Sequence, residues 1–366
     1  MNDLYKDSSV FFAAANTHAG FKSLFDDIFM KNAELDRIYI LKGGPGVGKS
    51  TFMKKAAEQC ENSGLTCEKF LCSSDPDSLD AVIIKEKRCA ILDGTLPHAC
   101  EPSLAGAREI LVDLGKSWDT EGLAGERENI ASLCKKKSAH YSSCYKISAC
   151  KKVIDDCVHN LLMPYILYEK AYASADRTAA ALFKGVKKGK ATVEKRLTNA
   201  FSCKGKVRLF SFENMSDYCI FLKVPYDGCR LASLYLDEIL DKALGLETRI
   251  LISNAPENPD LIDALCFPDT GVSISLFDVE QVAKCDRTGK KCKIINLSRF
   301  IDTAEFSKVR PLRRFYSNLS ENLQKKALDE LSSAGKIHAA LEEIYGKYTD
   351  YSTVSSICEK YLEMIF

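Results

Sequence analysis

One segment of the chain has residue types and spacing that fit phosphate chemistry. Residues 43–51 read GGPGVGKST and contain the pattern G-x-x-x-x-G-K-[ST]. Glycines let backbone N–H groups turn inward onto phosphate oxygens, and a helix that begins after the loop adds the positive end of its dipole. Lys49 would neutralise terminal phosphate oxygens, and the Ser50 hydroxyl would ligate Mg²⁺. The predicted nucleotide-binding residues are Gly43, Gly44, Pro45, Gly46, Val47, Gly48, Lys49, Ser50 and Thr51.

An acidic residue is expected to complete this metal site. Residues 89–94, CAILDG, form an apolar run that ends in Asp93 and Gly94. On a strand beside the phosphate-binding strand, such a carboxylate can hold Mg²⁺ directly or through water. The alternative is that Asp93 and Gly94 only form a turn. We predict Ser50 and Asp93 as metal ligands, and Lys49 and Asp93 as members of the catalytic set.

Two further residues are candidates to orient an attacking water. Asp75 lies in a polar loop at 73–77 after a predicted strand at 66–72, and ligands of open α/β sheets bind beyond the carboxyl ends of strands. The alternative is that Asp75 only caps a turn. His98 lies in a loop at 95–102 that contains two prolines. A single histidine in such a loop is more often structural than catalytic.

The segments around the glycine-rich loop predict a strand before it and a helix after it. Residues 38–41 form an apolar run typical of a buried strand, and residues 51–59 combine helix formers with apolar side chains. From about 123 to 195 the chain is rich in Lys and Ala and predicts long helices. Basic runs at 135–137 and 184–196 are interpreted as a solvated helix face and a linker; the alternative is contact with a phosphate-rich partner.

The chain repeats its pattern at a spacing of about 183 residues. Asp75-Pro76 is matched by Asn258-Pro259, and the apolar run at 110–114 is matched by one at 293–297. Repetition at a fixed period predicts two copies of one structural unit. The alternative is that any two α/β segments share apolar strands, but the run of shared spacings favours duplication.

The second copy lacks the chemistry of the first. Its segment 224–231, VPYDGCRL, is expected to face the glycine-rich loop and has one glycine and no lysine followed by Ser or Thr. Tyr226 and Asp227 would crowd and repel a triphosphate. The spacing also puts Leu276 at the position of Asp93. We expect a structural or regulatory copy, which could still supply an arginine to the first site. The arginines considered are Arg230, Arg310, Arg313 and Arg314.

These patterns predict an α/β fold of tandem P-loop NTPase-like repeats. Each repeat is expected to have a mainly parallel sheet followed by a helical tail, and the second repeat is expected to be degenerate. The first domain is predicted at 1–195, with its helical tail at about 123–195. The degenerate repeat with C-terminal helices is predicted at 196–366.

The composition narrows the class of protein. The 366 residues suffice for two domains, and 46% hydrophobic with 28% charged residues is typical of a globular protein. A net charge of +1 gives no strong signal for nucleic acid. The 16 cysteines show no metal-binding spacing and are interpreted as reduced thiols. Without a long apolar run or an apolar leader, we expect a cytoplasmic protein with no membrane contact.

Three more distinctive motifs accompany the loop: CSSDPDSLD at 72–80, AILDGTLPH at 90–98 and VDLGKSWD at 112–119. With them the chain resembles, over most of its length, a little-characterised family of bacterial two-repeat P-loop ATPases. The resemblance implies a P-loop NTPase fold and ATP binding, and it implies no established substrate. Asp75, Asp80 and His98 match family positions. The glycine-poor loop of the second copy departs from a two-site ATPase.

Three functions fit these residues. The leading hypothesis is a Mg²⁺-dependent ATPase whose hydrolysis drives a conformational change between the halves or in a partner. The second is a small-molecule kinase, in which residues 73–80 bind an acceptor hydroxyl and residues 123–195 form a lid. The third is an ATP-sensing interaction protein with negligible turnover. ATP is favoured over GTP because no guanine-reading N/T-K-x-D motif is found. A protein partner is compatible with the sequence and is unidentified.

Overall fold

The computed structural model describes residues 9–224 and 229–366, and it contains two six-stranded mixed sheets with helices around them. The strands of the first half are β1 (Val10–Phe12), β2 (Ala14–Thr17), β3 (Gly20–Ser23), β4 (Arg37–Lys42), β5 (Cys67–Leu71), β6 (Leu79–Ile84), β7 (Cys89–Asp93) and β8 (Glu109–Asp113). Those of the second half are β9 (Thr192–Lys195), β10 (Asn199–Ser202), β11 (Gly205–Arg208), β12 (Tyr218–Lys223), β13 (Arg249–Asn254), β14 (Ile262–Phe267), β15 (Val272–Leu276) and β16 (Lys291–Asn296). The predicted α/β class is confirmed.

Helices follow the strands in both halves. The α-helices of the described residues are α1 (Lys49–Asn62), α2 (Thr120–Gly125), α3 (Arg127–Leu162), α4 (Tyr168–Leu182), α5 (Ser211–Asn214), α6 (Cys229–Leu244), α7 (Val279–Thr288), α8 (Thr303–Phe306), α9 (Arg310–Lys347) and α10 (Tyr351–Ile365). The long helices expected between about 123 and 195 are therefore present as α3 and α4.

The two sheets have the same order of strands. The first sheet runs β1-β5-β6-β7-β4-β8, and the second runs β9-β13-β14-β15-β12-β16. In both sheets one strand, β6 or β14, is antiparallel to its neighbours, and the other pairs are parallel. The hairpins β2–β3 and β10–β11 also correspond. This strand-for-strand match is the arrangement expected of tandem α/β repeats.

Strand β6 was not predicted from the sequence. It follows the polar loop at 73–77 and pairs with β5 and β7 through antiparallel ladders. All its residues are buried, so it is a continuous apolar run with one aspartate, Asp80, rather than an alternating strand. A short run of this kind cannot be recognised by its periodicity.

The halves exchange their terminal helices. Helix α4 belongs to the predicted first domain but packs on the second sheet. Its Ala171 and Ala175 lie in the same core as Leu236 of α6. Helix α10 closes the chain but packs on the first sheet, where Val354 and Leu362 share a core with α1. Apolar packing therefore crosses the predicted boundary at residue 195.

Helices α3 and α9 form a long antiparallel pair. His140 Nδ1 lies 2.7 Å from Glu330 Oε2, whereas Asp155, farther along α3, accepts a hydrogen bond from Ser320, which is earlier in α9. Each helix therefore runs from one half of the molecule to the other. The pair brings residues of α3 and α9 to the glycine-rich loop.

Two expectations from the composition concern thiols and membrane segments. The 15 cysteines with described side chains are all free thiols, which agrees with the interpretation of reduced cysteines. In the described part of the chain, every helix is too short or too polar to cross a bilayer.

Candidate functional site

The glycine-rich loop connects β4 to α1, as the sequence predicted. Strand β4 has four consecutive buried residues, because both faces of a sheet strand flanked by helices are covered. The backbone of Gly46 and of Gly48 lies in the left-handed region, with φ of +71° and +93°. This region is costly for residues with a Cβ, so glycine permits the tight return into α1. Helix α1 begins at Lys49, and its N-terminus therefore faces the loop.

Lys49 and Asp93 come together at one edge of the first sheet. Strands β4 and β7 are parallel neighbours with Leu41 opposite Asp93, and the Lys49 Nζ lies 3.6 Å from Asp93 Oδ2. The two side chains are only 12% and 17% exposed, so solvent screens their attraction less than on an open surface. Lys49 Nζ also donates hydrogen bonds of 2.8 Å to the carbonyl oxygens of Gly43 and Gly44.

Asp93 is also held from its other side. Its Oδ1 accepts hydrogen bonds from the backbone N–H of Thr95 at 2.8 Å and from the Thr95 hydroxyl at 2.6 Å. The turn at Asp93-Gly94 is therefore present, and Asp93 also ends a strand beside β4, as the metal-ligand interpretation expected. One carboxylate oxygen caps the turn, and the other faces the lysine.

Ser50 is fixed by the strand that the sequence did not predict. The backbone N–H of Leu79, the first residue of β6, donates a 3.0 Å hydrogen bond to Ser50 Oγ. The described residues contain no group of three or more His, Cys, Asp or Glu side chains placed to hold a metal. Mg²⁺ usually needs only one or two protein oxygens, with phosphate and water completing its shell. The hard oxygen donors of Ser50 and Asp93 are of the required type.

Asp75 caps a turn beside the loop. Its carboxylate accepts hydrogen bonds from the backbone N–H of Asp77 at 3.3 Å and from the Ser78 hydroxyl at 2.9 Å. The same carboxylate contributes to the raised pKa of Glu342, a residue of α9 that contacts the loop. Asp75 therefore makes the turn-capping contacts of one interpretation, and its role in orienting water stays a prediction.

His98 is brought to Asp80 in the interior. Its ring is 6% exposed, stacks on Phe25 at 4.4 Å and meets the edge of Phe21 at 4.9 Å. The Nε2 lies 3.0 Å from Asp80 Oδ2. Burial by itself would lower the pKa of His98, but the Asp80 carboxylate outweighs burial and the pKa is raised. This placement favours the structural interpretation of His98.

The end of the chain covers the loop, which sequence reasoning missed. A Cβ on Gly46 would meet the Glu342 carbonyl oxygen at 2.8 Å, and the Tyr351 hydroxyl donates a 3.0 Å hydrogen bond to the Gly46 carbonyl. A Cβ on Gly44 would lie 3.2 Å from the rings of Trp118 and Tyr345. The sequence signal for this cover was Trp118, which lies within the distinctive motif at 112–119.

Charged side chains from the helix pair lie next to this contact. Lys137 of α3 has its Nζ 3.4 Å from His338 Nδ1, and His338 Nε2 lies 3.7 Å from Glu342 Oε1. Burial, followed by the charges of Lys137 and Lys49, lowers the pKa of His338 to about 4. Burial also lowers the pKa of Lys137, and the charge of Lys49 adds to this effect. Burial and then Asp75 raise the pKa of Glu342.

The second sheet preserves part of the same geometry. The backbone N–H of Ile262, which begins β14, donates to Ser233 Oγ at 2.9 Å, as Leu79 does to Ser50. Ser233 is therefore the structural counterpart of Ser50, and Ala232 stands where Lys49 stands. The sequence spacing had put Leu231 opposite Ser50, so the correspondence expected for 224–231 shifts by two residues. Within that segment, residues 225–228, including Tyr226 and Asp227, lie outside the described part of the chain.

The position that corresponds to Asp93 also holds a different residue in the second sheet. Leu276 ends β15 and pairs with Leu222 in the register that joins Asp93 to Leu41. The sequence spacing had identified this leucine. At this corner the second sheet therefore has neither the lysine nor the carboxylate of the first.

The arginines that the second repeat could have supplied to the first site do not lie at the glycine-rich loop. Arg230 pairs with Asp156 of α3. The N-terminal end of α9, which carries Arg310, Arg313 and Arg314, lies roughly 40 Å along the helix axis from Glu342 at about 1.5 Å per residue. The structure therefore does not bring them to the glycine-rich loop.

A cavity of about 950 Å³ lies away from the loop, and none of residues 43–51 lines it. It is bordered by charged residues of both sheets, including Glu68 and Arg196, which form a buried ion pair at 3.1 Å. Because Glu68 and Arg196 are paired with each other and the phosphate-binding pattern lies elsewhere, we locate the candidate site at the loop and not at this cavity.

Comparison of the chain with protein-family models, with curated proteins and with solved structures gives no match. The resemblance to two-repeat P-loop ATPases therefore remains an expectation from the motifs.

Proposed function

We propose that this protein binds Mg²⁺-ATP at residues 43–51 and hydrolyses it. The observation that carries the proposal is the placement of Lys49, the first residue of α1, 3.6 Å from Asp93 at the end of the neighbouring parallel strand. A glycine-rich loop between a buried strand and a helix N-terminus supplies backbone donors and a positive dipole for phosphate. These features support a P-loop NTPase fold for the first repeat.

Each site residue has a defined task in this proposal. The backbone N–H groups of the loop bind phosphate, and Lys49 exchanges its hydrogen bonds with Gly43 and Gly44 for phosphate oxygens. Ser50 and Asp93 would hold the metal ion, which would neutralise part of the phosphate charge. Asp75 is the candidate to orient water, because its charge acts on Glu342, whose backbone packs on the loop.

The proposal assigns one nucleotide to each chain. In the second repeat Ala232 takes the place of the lysine and Leu276 takes the place of the carboxylate. An alanine and a leucine can neither neutralise phosphate nor ligate Mg²⁺. In this proposal the second repeat is a degenerate copy, and its C-terminal helices α9 and α10 cover the glycine-rich loop of the first repeat.

A small-molecule kinase is the second candidate. The observation that favours it is the cover formed by Trp118, Tyr345 and Tyr351 over the loop, since phosphoryl transfer to a hydroxyl requires that water be excluded. In that case the acceptor takes the place of the attacking water near Asp75.

The test is nucleotide binding and phosphate release measured on the wild type, Lys49→Ala and Asp93→Ala. We expect the wild type to bind Mg²⁺-ATP and to release phosphate without an added metabolite. Lys49→Ala should lose binding, and Asp93→Ala should lose turnover with a smaller effect on binding. Unchanged binding by Lys49→Ala would refute the site. Phosphate transfer only after a metabolite is added would favour the kinase, and tight binding without turnover would favour a nucleotide sensor.

A further inference from the structure

Lys137 is a half-buried lysine whose hydrogen-bonding partner, among the described residues, is a histidine. It lies on α3 in the run 135–137, in which Lys135 and Lys136 are exposed. Its Nζ donates a 3.4 Å hydrogen bond to His338 Nδ1, and among residues 9–224 and 229–366 no carboxylate lies within ion-pair distance of it. A lysine with a buried stem usually pairs with an acid, because burial disfavours its charge.

The contacts place Lys137 beside the phosphate-binding loop. The backbone of Glu342 packs on Gly46, and His338, one helical turn earlier in α9, contacts Lys137. Lys49 and Lys137 are near enough for the charge of Lys49 to affect Lys137. Two lysine charges that act on each other are repelled, and an anion bound close to both would reduce that repulsion.

The acidic groups nearby do not remove the need for an anion. Lys49 forms its ion pair with Asp93, not with the residues of α9. The Asp75 carboxylate is engaged with Ser78. Glu342 lies 3.7 Å from His338 and beyond ion-pair distance of Lys137; its charge acts on Lys137 and on Lys49, but burial, followed by Asp75, raises its pKa and so weakens that charge. Among the described residues, Lys137 therefore has a histidine within hydrogen-bonding distance and no carboxylate within ion-pair distance.

We propose that Lys137 contacts the terminal phosphate of the bound nucleoside triphosphate and so reports its presence to the α3–α9 pair. This inference rests on the proposed nucleotide site and adds to it the residue that distinguishes a triphosphate from a diphosphate. In this proposal Lys49, at the start of α1, contacts the phosphates of both nucleotides, whereas Lys137, on α3, contacts only the third phosphate of the triphosphate. Because α3 and α9 run between the halves, this contact carries the nucleotide state to the second repeat.

The test compares the affinities of Mg²⁺-ADP and of a β,γ-imido ATP analogue, measured by calorimetry. Lys137→Gln should weaken the ATP analogue by roughly 10-fold or more, the effect of one charge-assisted contact, and should leave ADP within about twofold. Lys137→Arg keeps the charge and should retain most of the preference. Lys136→Gln removes an exposed charge from the same helix and should change neither affinity.

The outcomes separate this inference from the proposed function. Equal losses for both nucleotides in Lys137→Gln, or no loss for either, would overturn the role of Lys137 while leaving the loop as the site. If Lys49→Ala binds both nucleotides as the wild type does, the proposed site itself is wrong, and the inference falls with it. A selective loss of the triphosphate that Lys137→Arg restores supports the inference.

Discussion

Gly46 of the glycine-rich loop lies directly against the backbone of Glu342, so that a Cβ on Gly46 would be 2.8 Å from the Glu342 carbonyl oxygen. Real Cβ atoms do not approach a backbone oxygen so closely, and the oxygen belongs to a helix backbone that cannot turn aside. The loop and the C-terminal part of α9 therefore form a joint that depends on this glycine.

Gly46→Ala is expected to open this joint. Gly64→Ala is the matched control, because Gly64 has nearly the same φ, +67°, and nothing within 4 Å of its Cβ position. The control should lose about 1 kcal/mol of unfolding free energy for the left-handed backbone alone. Gly46→Ala should lose at least about 1 kcal/mol more and should weaken nucleotide binding. Urea unfolding and calorimetry measure both, and equal losses for the two variants would contradict the contact.

Ser50→Ala is expected to remove the metal dependence of nucleotide binding. Ser233→Ala is its control, because each serine accepts one backbone hydrogen bond at the start of a strand. Both variants should lose about 1 kcal/mol of unfolding free energy. Only Ser50→Ala should reduce, by roughly 10-fold, the gain in ATP affinity on adding Mg²⁺. An equal effect of Ser233→Ala on that gain would argue against a metal ligand at Ser50.

His98→Gln tests whether His98 is structural. The variant should lose about 1–3 kcal/mol of unfolding free energy, because Asp80 keeps its buried carboxylate without its partner. It should retain the turnover of the wild type per folded molecule. Loss of turnover with unchanged stability would instead support a role in orienting water.

The loss of unfolding free energy in His98→Gln is expected to depend on pH, and the direction follows from the pKa of His98. The pKa of His98 is raised in the folded state, so the His98–Asp80 pair stabilises the protein fully below the unfolded pKa of about 6.5. The contribution is lost as pH rises through the raised folded pKa. The difference in unfolding free energy between wild type and His98→Gln should therefore narrow from pH 6 towards alkaline pH, as urea unfolding at each pH can show.

His338 is expected to give stability the opposite dependence on pH, because its pKa is lowered in the folded state. Burial and the charges of Lys137 and Lys49 lower its pKa to about 4, so the folded protein keeps the ring neutral while the unfolded chain takes up a proton below about pH 6.5. Stability should therefore decline as pH falls from about 6.5 to 4. In NMR titrations, Lys137→Gln should raise the pKa of His338, and Lys136→Gln should not. An unchanged pKa in Lys137→Gln would show that the two side chains do not face each other.

The sequence by itself determined the local features of the first site. The spacing of Gly43, Gly48 and Lys49 specifies a strand–loop–helix unit, because only glycine takes the left-handed backbone cheaply and an apolar run before it favours a buried strand. The repeat of about 183 residues also predicted a second copy of the same structural unit, and the second sheet has the strand order of the first. These signals are carried by residues that are neighbours in the chain.

Only the tertiary structure decided which distant residues complete that site. The first residue of β6 donates a hydrogen bond to Ser50, and the matching bond in the second sheet identifies Ser233 as the counterpart of Ser50. A short apolar run in the sequence does not specify which strand or side chain it will contact. The exchange of α4 and α10 and the pairing of α3 with α9 bring Lys137 and Glu342 to the loop. Apolar helix faces determine that a helix is buried, but they do not specify against which sheet it packs. That choice follows from the shape and area of all the surfaces together, and it puts the end of the chain over the phosphate-binding loop near its beginning.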